Sequence, residues 1–460
     1  MAKKSTYVCS NCGAQYIGYM GKCTDCGEFG TLVEQESNYS KQKKVNAATN
    51  ILPKKLKDVE ETTEIRINTG LQEVDRVFGG GIVKGSVNAL IAPPGLGKSS
   101  LAMSIAGALA NKGYSVYYYS GEESESQIKL RAKRILKDIP DNIFIKTKMD
   151  VDLLKIDAEA VHPDFLIIDS VQTLYSNTID GVIGGEKQCS YATDILLDLA
   201  KRNSRPITQI LISQVTKEDT IRGSREFEHM VDAVIVLESS GDTSLRFLKN
   251  QKNRFASTDE LGLFLMTDSG LEELKNPNEY FLTTRNYDVS GVALTVVREG
   301  LRTIVLEIEC LTEYSQNFNP SRVSKGISQE TLKIILAITN KVSSGLNLKN
   351  KDVYMQVSGG FIIKDGSVGM SVVSSLYSAC KDICIPNDYV FLGEVSLTGD
   401  FKKIKDLEYI LKELDRLGFK KCFIPKNALN DLPKYTYLEI VEVSSIKDLI
   451  SKLNELKKEH

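Results

Sequence analysis

Residues 92 to 99 read Ala92-Pro93-Pro94-Gly95-Leu96-Gly97-Lys98-Ser99, directly after the apolar run Val87 to Ile91 and just before an apolar stretch from Leu101. A buried strand that breaks into a Gly-rich turn and restarts as a helix is the layout of a phosphate-binding loop. The turn lets backbone N–H groups converge on the β- and γ-phosphates of a nucleotide. Lys98 adds a mobile cation, and the Ser99 hydroxyl suits Mg²⁺. The positive end of the following helix points at the same anion. The segment predicts ATP binding across Ala92–Ser99. Ala92 stands where the usual pattern opens with Gly, and a methyl group fits there only if φ is negative. From Ile65 to about Ser269, apolar strands alternate with amphipathic helices, which argues for an α/β core with a parallel sheet covered on both faces.

Open α/β sheets gather their functional groups at the C-terminal ends of strands. The aromatic and β-branched run Ser115 to Ser120 leads into Gly121-Glu122-Glu123-Ser124. A Glu there can orient or deprotonate an attacking water. Glu122, nearer the strand end, is the catalytic candidate, and Glu123 equally suits the start of a helix. Phe165-Leu166-Ile167-Ile168-Asp169 reads as a buried strand whose terminal acid holds Mg²⁺ through water. A further strand ends in Gln214, placed either to sense the γ-phosphate or to face solvent. Two stretches, 176–190 and 216–225, read as mobile loops. The second carries Lys217, Arg222 and Arg225, which suit contacts with nucleic-acid phosphates.

Four of the nine cysteines fall within residues 9–26. Cys9-x-x-Cys12 and Cys23-x-x-Cys26, each followed by Gly, predict two tight knuckles that enclose one tetrahedral Zn²⁺ in four thiolates. Redox-active pairs are the alternative, but no βαβ pattern surrounds them. A module of residues 1–33 is too short to build a core, so the metal is expected to supply its folding energy. The polar, Lys-rich residues 34–60 read as a linker. The N-terminus lacks the apolar core of a signal peptide, and the cysteine count is odd; both argue against a disulfide framework and for a cytoplasmic location. No run approaches the roughly 18 apolar residues of a membrane span. Lys plus Arg number 58 against 60 Asp plus Glu, so a nucleic-acid surface must be a local patch. Cys380 and Cys384, four apart on a predicted helix, read as small buried apolar residues.

The four-cysteine module, the P-loop, Ser120-Gly121-Glu122-Glu123-Ser124, Val215-Thr216-Lys217-Glu218, Glu228-His229-Met230-Val231-Asp232 and Lys252-Asn253-Arg254-Phe255 occur in this order. Together they resemble the bacterial RadA (Sms) family of DNA-repair ATPases, over nearly the whole chain. The resemblance implies a RecA-like ATPase core, residues 61–275, fused to a Lon-protease-like α+β domain, residues 276–460. It also implies a hexameric ring motor that binds single-stranded DNA, drives branch migration of recombination intermediates and works with the RecA recombinase. The family's signature Lys-Asn-Arg-Phe-Gly is here Lys252-Asn253-Arg254-Phe255-Ala256. By resemblance, Lys252 and Arg254 reach a neighbouring subunit's nucleotide. Phe29 and Gln214 stand where the family usually has Trp and His.

The C-terminal region mixes strands such as Thr303–Ile308 with helices such as 329–341 and 404–417. Residues 391–399 and 418–426 resemble the Lon protease domain. A Lon-type protease needs a Ser nucleophile and a Lys base within hydrogen-bond reach. Ungapped, those positions fall on Val368 and Glu408, and the Ser of Lys364-Asp365-Gly366-Ser367 is one residue off. The domain is therefore expected to be proteolytically inactive and to assemble the ring; Lys402, Lys403 and Lys405 are candidates for contacts with duplex DNA, with a solvated face as the favoured reading for any one of them. The principal rival function is an ATPase that loads or regulates a recombination protein without translocating.

Overall fold

The computed structural model describes residues 6–35, 55, 57, 64–202, 205–214, 230–239, 244–285, 287–363, 366–429, 431 and 434–459. Lys217, Arg222 and Arg225, Lys364 and Asp365, and most of the 34–60 segment lie outside them. The chain divides into two compact units, Met1–Thr63 and Glu64–His460.

In the first unit, strands Thr6–Cys9, Gln15–Tyr16 and Leu32–Gln35 form a small antiparallel sheet with Thr6–Cys9 in the middle. The two Cys-x-x-Cys turns are built alike. Cys9 N donates to Ala14 O and Gly13 N to Cys9 O, and Cys23 N donates to Glu28 O and Gly27 N to Cys23 O, all at 2.9 Å. Gly13 and Gly27 take left-handed φ of 77° and 76°, which these turns require of the residue after each pair.

In the second unit, the ATPase region is a nine-stranded sheet. Six strands run parallel in the order Ile143–Lys146, Val116–Ser120, Phe165–Asp169, Thr208–Gln214, Val87–Ala92 and Ala233–Ser239. Three antiparallel strands, Leu245–Asn253, Leu261–Thr267 and Gly270–Glu273, then extend the edge. The sheet is therefore mixed, not parallel throughout. The two kinds of strand share an apolar pattern, and only their partners separate them.

Alternation along the strands sends residues to opposite faces. Leu90, Ala92, Tyr118 and Ile167 join one apolar cluster with the helix Lys98–Asn111, whereas Val87, Ala89, Ile91, Tyr117 and Tyr119 join another with the helices Val151–Val161 and Glu186–Leu197. Helices thus cover both faces. The helix from Glu186 corrects the loop expected at 176–190: only the stretch to Gly185 is irregular, and Glu186–Leu197 buries Gln188, Ala192, Ile195 and Leu196.

The C-terminal region folds around a seven-stranded sheet in the order Arg322–Lys325, Lys351–Val357, Arg302–Tyr314, Val292–Glu299, Tyr389–Phe391, Lys421–Pro425 and Glu439–Val443. The helices Gln329–Val342, Gly369–Lys381 and Ile446–Glu459 cover one face, and Leu407–Arg416 covers the other. The helix expected from Ile404 begins three residues later, after Asp406 turns the chain through a φ of 54°. The helix from Gly369 ends at Lys381, where Asp382 takes a φ of 53°, so Cys384 lies beyond it and not one turn from Cys380. Among the described residues, no helix is long and apolar enough to cross a membrane.

Candidate functional site

The four Sγ atoms of Cys9, Cys12, Cys23 and Cys26 lie within 4.8 Å of one another, with Cys9–Cys26 at 3.7 Å and Cys12–Cys23 at 3.5 Å. Four sulfurs about 2.3 Å from a central Zn²⁺ stand about 3.8 Å apart, so this set fits a tetrahedral zinc centre. Cys9 and Cys23 are buried, and hydroxyls stand beside both, Thr31 Oγ1 at 3.2 Å from Cys9 and Tyr16 Oη at 3.2 Å from Cys23. Such outer partners steady thiolate ligands. Phe29 lies on the surface of this module with the Lys22 ammonium 5.0 Å from its ring centroid.

In the ATPase region, the strand Val87–Ala92 breaks at Pro93, and Gly95 and Gly97 take φ of 83° and 99° before the helix starts at Lys98. A Cβ on Gly97 would press on the end of the Met266 side chain, and the positive φ demands Gly there. Ala92 is the buried last residue of an extended strand and is absent from the positive-φ positions, so its methyl group is accommodated without strain. Lys98 Nζ folds back to donate to Ala92 O at 2.8 Å and Pro93 O at 3.2 Å. Burial lowers its pKa, against the opposing pull of Asp169 and Glu122.

Asp169 closes its strand next to the P-loop. Burial raises its pKa, while hydrogen bonds from Ser99 and from Tyr118, whose hydroxyl donates at 3.0 Å, favour the carboxylate. Tyr118 is fully buried, and nothing in the sequence singles it out. A hydroxyl in the middle of a buried strand needs a partner, and Asp169 is that partner.

Glu122 and Glu123 part company. Ser124 caps the helix Glu125–Ile135 through a reciprocal capping box with Gln127, so Glu123 lies outside its first turn. Arg131, two turns along that helix, ion-pairs with Glu123. Burial, outweighing Arg131, raises the Glu123 pKa. Glu122 stays exposed at the strand end, within electrostatic reach of Lys98 and Asp169. A Cβ on Gly121 would collide with Met149 Cγ and Thr173 Oγ1, so only Gly lets the chain turn here. Gln214 pairs with Ala92 at the P-loop end of the sheet.

Lys252 and Arg254 are elsewhere. Asn253 lies opposite Ala233, which lies opposite Asn88 at the start of the P-loop strand. That places them about 13 Å back along the sheet from Ala92, four residues at about 3.3 Å each. Arg254 Nη1 pairs at 3.2 Å with Asp232, a buried carboxylate that also accepts from Lys201 at 2.8 Å and from Val87 N at 3.0 Å. The signature turn is clamped by Arg66, which donates to Phe255 O at 2.6 Å and Phe78 O at 3.0 Å. Ala256 packs on Gly79 so closely that any Cβ there would overlap its own, and Ala256 is not among the positive-φ residues. Arg66 carried no signal in the sequence, because it acts on partners far along the chain, and Asp232 stood there only as the last residue of a motif shared with the resembled family.

Val368 is buried, and Glu408 is exposed on the opposite face's helix.

Comparison with known proteins agrees with this layout. Residues 7–34 match a rubredoxin metal binding domain, residues 53–181 an AAA domain, and residues 292–455 the Lon protease (S16) C-terminal proteolytic domain. The chain is 37% identical over 451 residues to the DNA repair protein RadA of Streptococcus pyogenes serotype M1, covering 98% of both. It is 34% identical over 456 residues to that of Bacillus subtilis (strain 168), covering 98% of this chain and 99% of the relative. For that of Brucella abortus (strain 2308) the figure is 35% over 468 residues, covering 98% of each. With its four-thiolate module, P-loop sheet and Lon-like domain in one order over almost its full length, the chain belongs to the bacterial RadA (Sms) family of DNA-repair proteins.

Proposed function

We propose that this protein is a DNA-dependent ATPase of recombinational repair, working as a homo-oligomeric ring that moves branched DNA intermediates together with a RecA-type recombinase. The observation that carries the reading is the separation of two cationic sets on one sheet. Lys98 stands with Ser99, Asp169 and Glu122 at one end, and Lys252 and Arg254 stand at the other. A nucleotide at Ala92–Ser99 cannot be reached by Lys252 or Arg254 of the same chain. A neighbour in a head-to-tail ring can supply them.

In that reading, P-loop amides and Lys98 bind the phosphates, and Glu122 orients the attacking water. Ser99 and Asp169 would hold Mg²⁺, which neutralises phosphate charge. Lys252 and Arg254 stabilise the negative charge that develops in the transition state. Gln214, Lys217, Arg222, Arg225 and the 176–185 loop lie on the segments that would register the γ-phosphate and grip single-stranded DNA. Proteolysis is not expected, because Val368 and Glu408 offer neither nucleophile nor base.

The test is ATP hydrolysis with and without single-stranded DNA, for the wild type and for Lys252→Ala. Strong stimulation that disappears in the variant is the expected outcome. Absent stimulation, or an undiminished variant, overturns the coupling and favours a non-translocating regulator.

A further inference from the structure

The strand end that carries Lys252 and the loop that carries Arg254 are gripped from the C-terminal domain. Residues 254–260 join the strands Leu245–Asn253 and Leu261–Thr267. The first hairpin of the C-terminal domain, strands Val292–Glu299 and Arg302–Tyr314, turns through Gly300 and Leu301 against the far side of that loop. Leu301 N donates to Asp259 O at 2.7 Å. Gly300 takes a φ of 62°, and a Cβ on it would fall on the Asp259 carbonyl. Arg302 ion-pairs with Glu73 and reaches Leu261 O at 3.4 Å, and both charged side chains of the pair are at least 90% buried. Glu73 Oε2 also accepts from Leu263 N at 2.8 Å. Glu299 lies 3.7 Å from Lys249 on the strand that leads to Lys252.

The contact is apolar as well as polar. Leu245, Phe247, Leu261 and Leu263 of the ATPase strands share one core with Ile304, Phe281 and Phe361 of the C-terminal domain. The Phe247 and Phe361 rings meet edge to face with centroids 5.5 Å apart. From Glu73 the path continues to the signature turn itself. The helix Gln72–Val77 runs into Phe78 and Gly79, and Asn250 donates to Val77 O at 2.9 Å. Packed elements of this kind shift as units, because close-packed interfaces do not deform continuously.

We propose that Gly300 and Arg302 are positioning residues for Lys252 and Arg254, so that the C-terminal domain of each subunit sets how its cationic loop is presented to the next subunit's nucleotide. The proposal rests on the reading above that Lys252 and Arg254 act between subunits. A buried ion pair held by one Arg and one Glu, with a glycine that tolerates no side chain, makes the hairpin a rigid stop for the loop. Moving that stop misplaces the cations without touching the P-loop.

The experiment uses the full-length protein with ATP and single-stranded DNA. Two variants attack the same contact differently: Gly300→Ala pushes the hairpin off Asp259, and Glu73→Gln with Arg302→Met removes the charges and keeps most of the bulk. Each is expected to lower the DNA-stimulated kcat roughly tenfold to a hundredfold, since a displacement of about 1 Å can cost ~10²-fold. KM for ATP and the oligomeric state stay at wild-type values. In a Lys252→Ala/Arg254→Ala background, neither change lowers kcat further. Wild-type kcat in both variants, a matched rise in KM, or losses that multiply with the Lys252→Ala/Arg254→Ala pair would overturn the proposal. Wild-type hydrolysis by Lys252→Ala and Arg254→Ala themselves would instead overturn the intersubunit reading on which it rests.

Discussion

At the scale of single residues, the role proposed for Asp169 carries a cost in stability. Asp169 is buried and its carboxyl pKa is raised above the unfolded value. A carboxylate shifted in that direction loses stability as pH rises through its folded pKa, so the ionised form needed near neutrality opposes folding. Asp169→Asn removes the charge and keeps an acceptor for the Tyr118 hydroxyl. It should melt at the wild-type temperature or above, in a thermal scan at neutral pH, while ATP hydrolysis falls by at least ~10²-fold. A clearly lower melting temperature would mean that the charge itself holds the fold. Gly121 makes the complementary case. Gly121→Ala forces a methyl group into Met149 and Thr173. Overpacking of this kind costs about 1–3 kcal/mol. The urea midpoint should drop accordingly, with hydrolysis falling because Glu122 follows immediately.

At the scale of elements, the small zinc-type module and the loop after Asp169 are each held by few contacts. Residues 6–35 bury little beyond Cys9, Cys23 and Leu32. Cys23→Ser should therefore release one Zn²⁺ per chain, measured by metal analysis, and melt this module while the Glu64–His460 unit keeps its unfolding transition. Unchanged metal content would refute the four-thiolate centre. The 176–185 loop is held at its start by Asp150 and Asp152, which accept from Asn177 Nδ2 at 2.8 Å and from Ser176 Oγ at 2.5 Å, and by Gln188, whose amide donates to Ser176 O at 3.0 Å and Ile179 O at 2.6 Å and accepts from Ser176 N at 2.8 Å. Gln188→Ala leaves buried backbone groups unpaired, at about 1–3 kcal/mol each. Hydrogen exchange across 176–185 should accelerate, and affinity for single-stranded DNA should fall. Exchange at the wild-type rate would show that the loop is held by something else.

At the scale of the whole molecule, the proposed division of the site between the two ends of one sheet would make activity a property of the assembly. Hydrolysis per chain should rise with protein concentration through the assembly range. Mixing Lys98→Ala subunits with Lys252→Ala subunits should restore part of the hydrolysis that each variant lacks alone, because an intact P-loop then meets an intact Lys252 across a mixed interface. No recovery in the mixture would place the whole site in one subunit. DNA binding should weaken steeply as salt rises, as phosphate contacts dictate.

What the sequence determined by itself is what short-range chemistry can encode. The P-loop, the two Cys knuckles and the acid ending a buried strand are each written in fewer than twenty residues, because turn geometry, φ at glycine and metal spacing are local. Tertiary structure decided the rest. Ala92 and Ala256 break the expected glycine pattern, and only their φ and neighbours show that each fits. Glu122 and Glu123 are equivalent as letters until Arg131 takes one of them. Three edge strands look like parallel ones until their partners are known. Arg302 and Glu73 meet across 229 residues of chain. Such pairings depend on where distant segments pack, and no local pattern of residues carries that information.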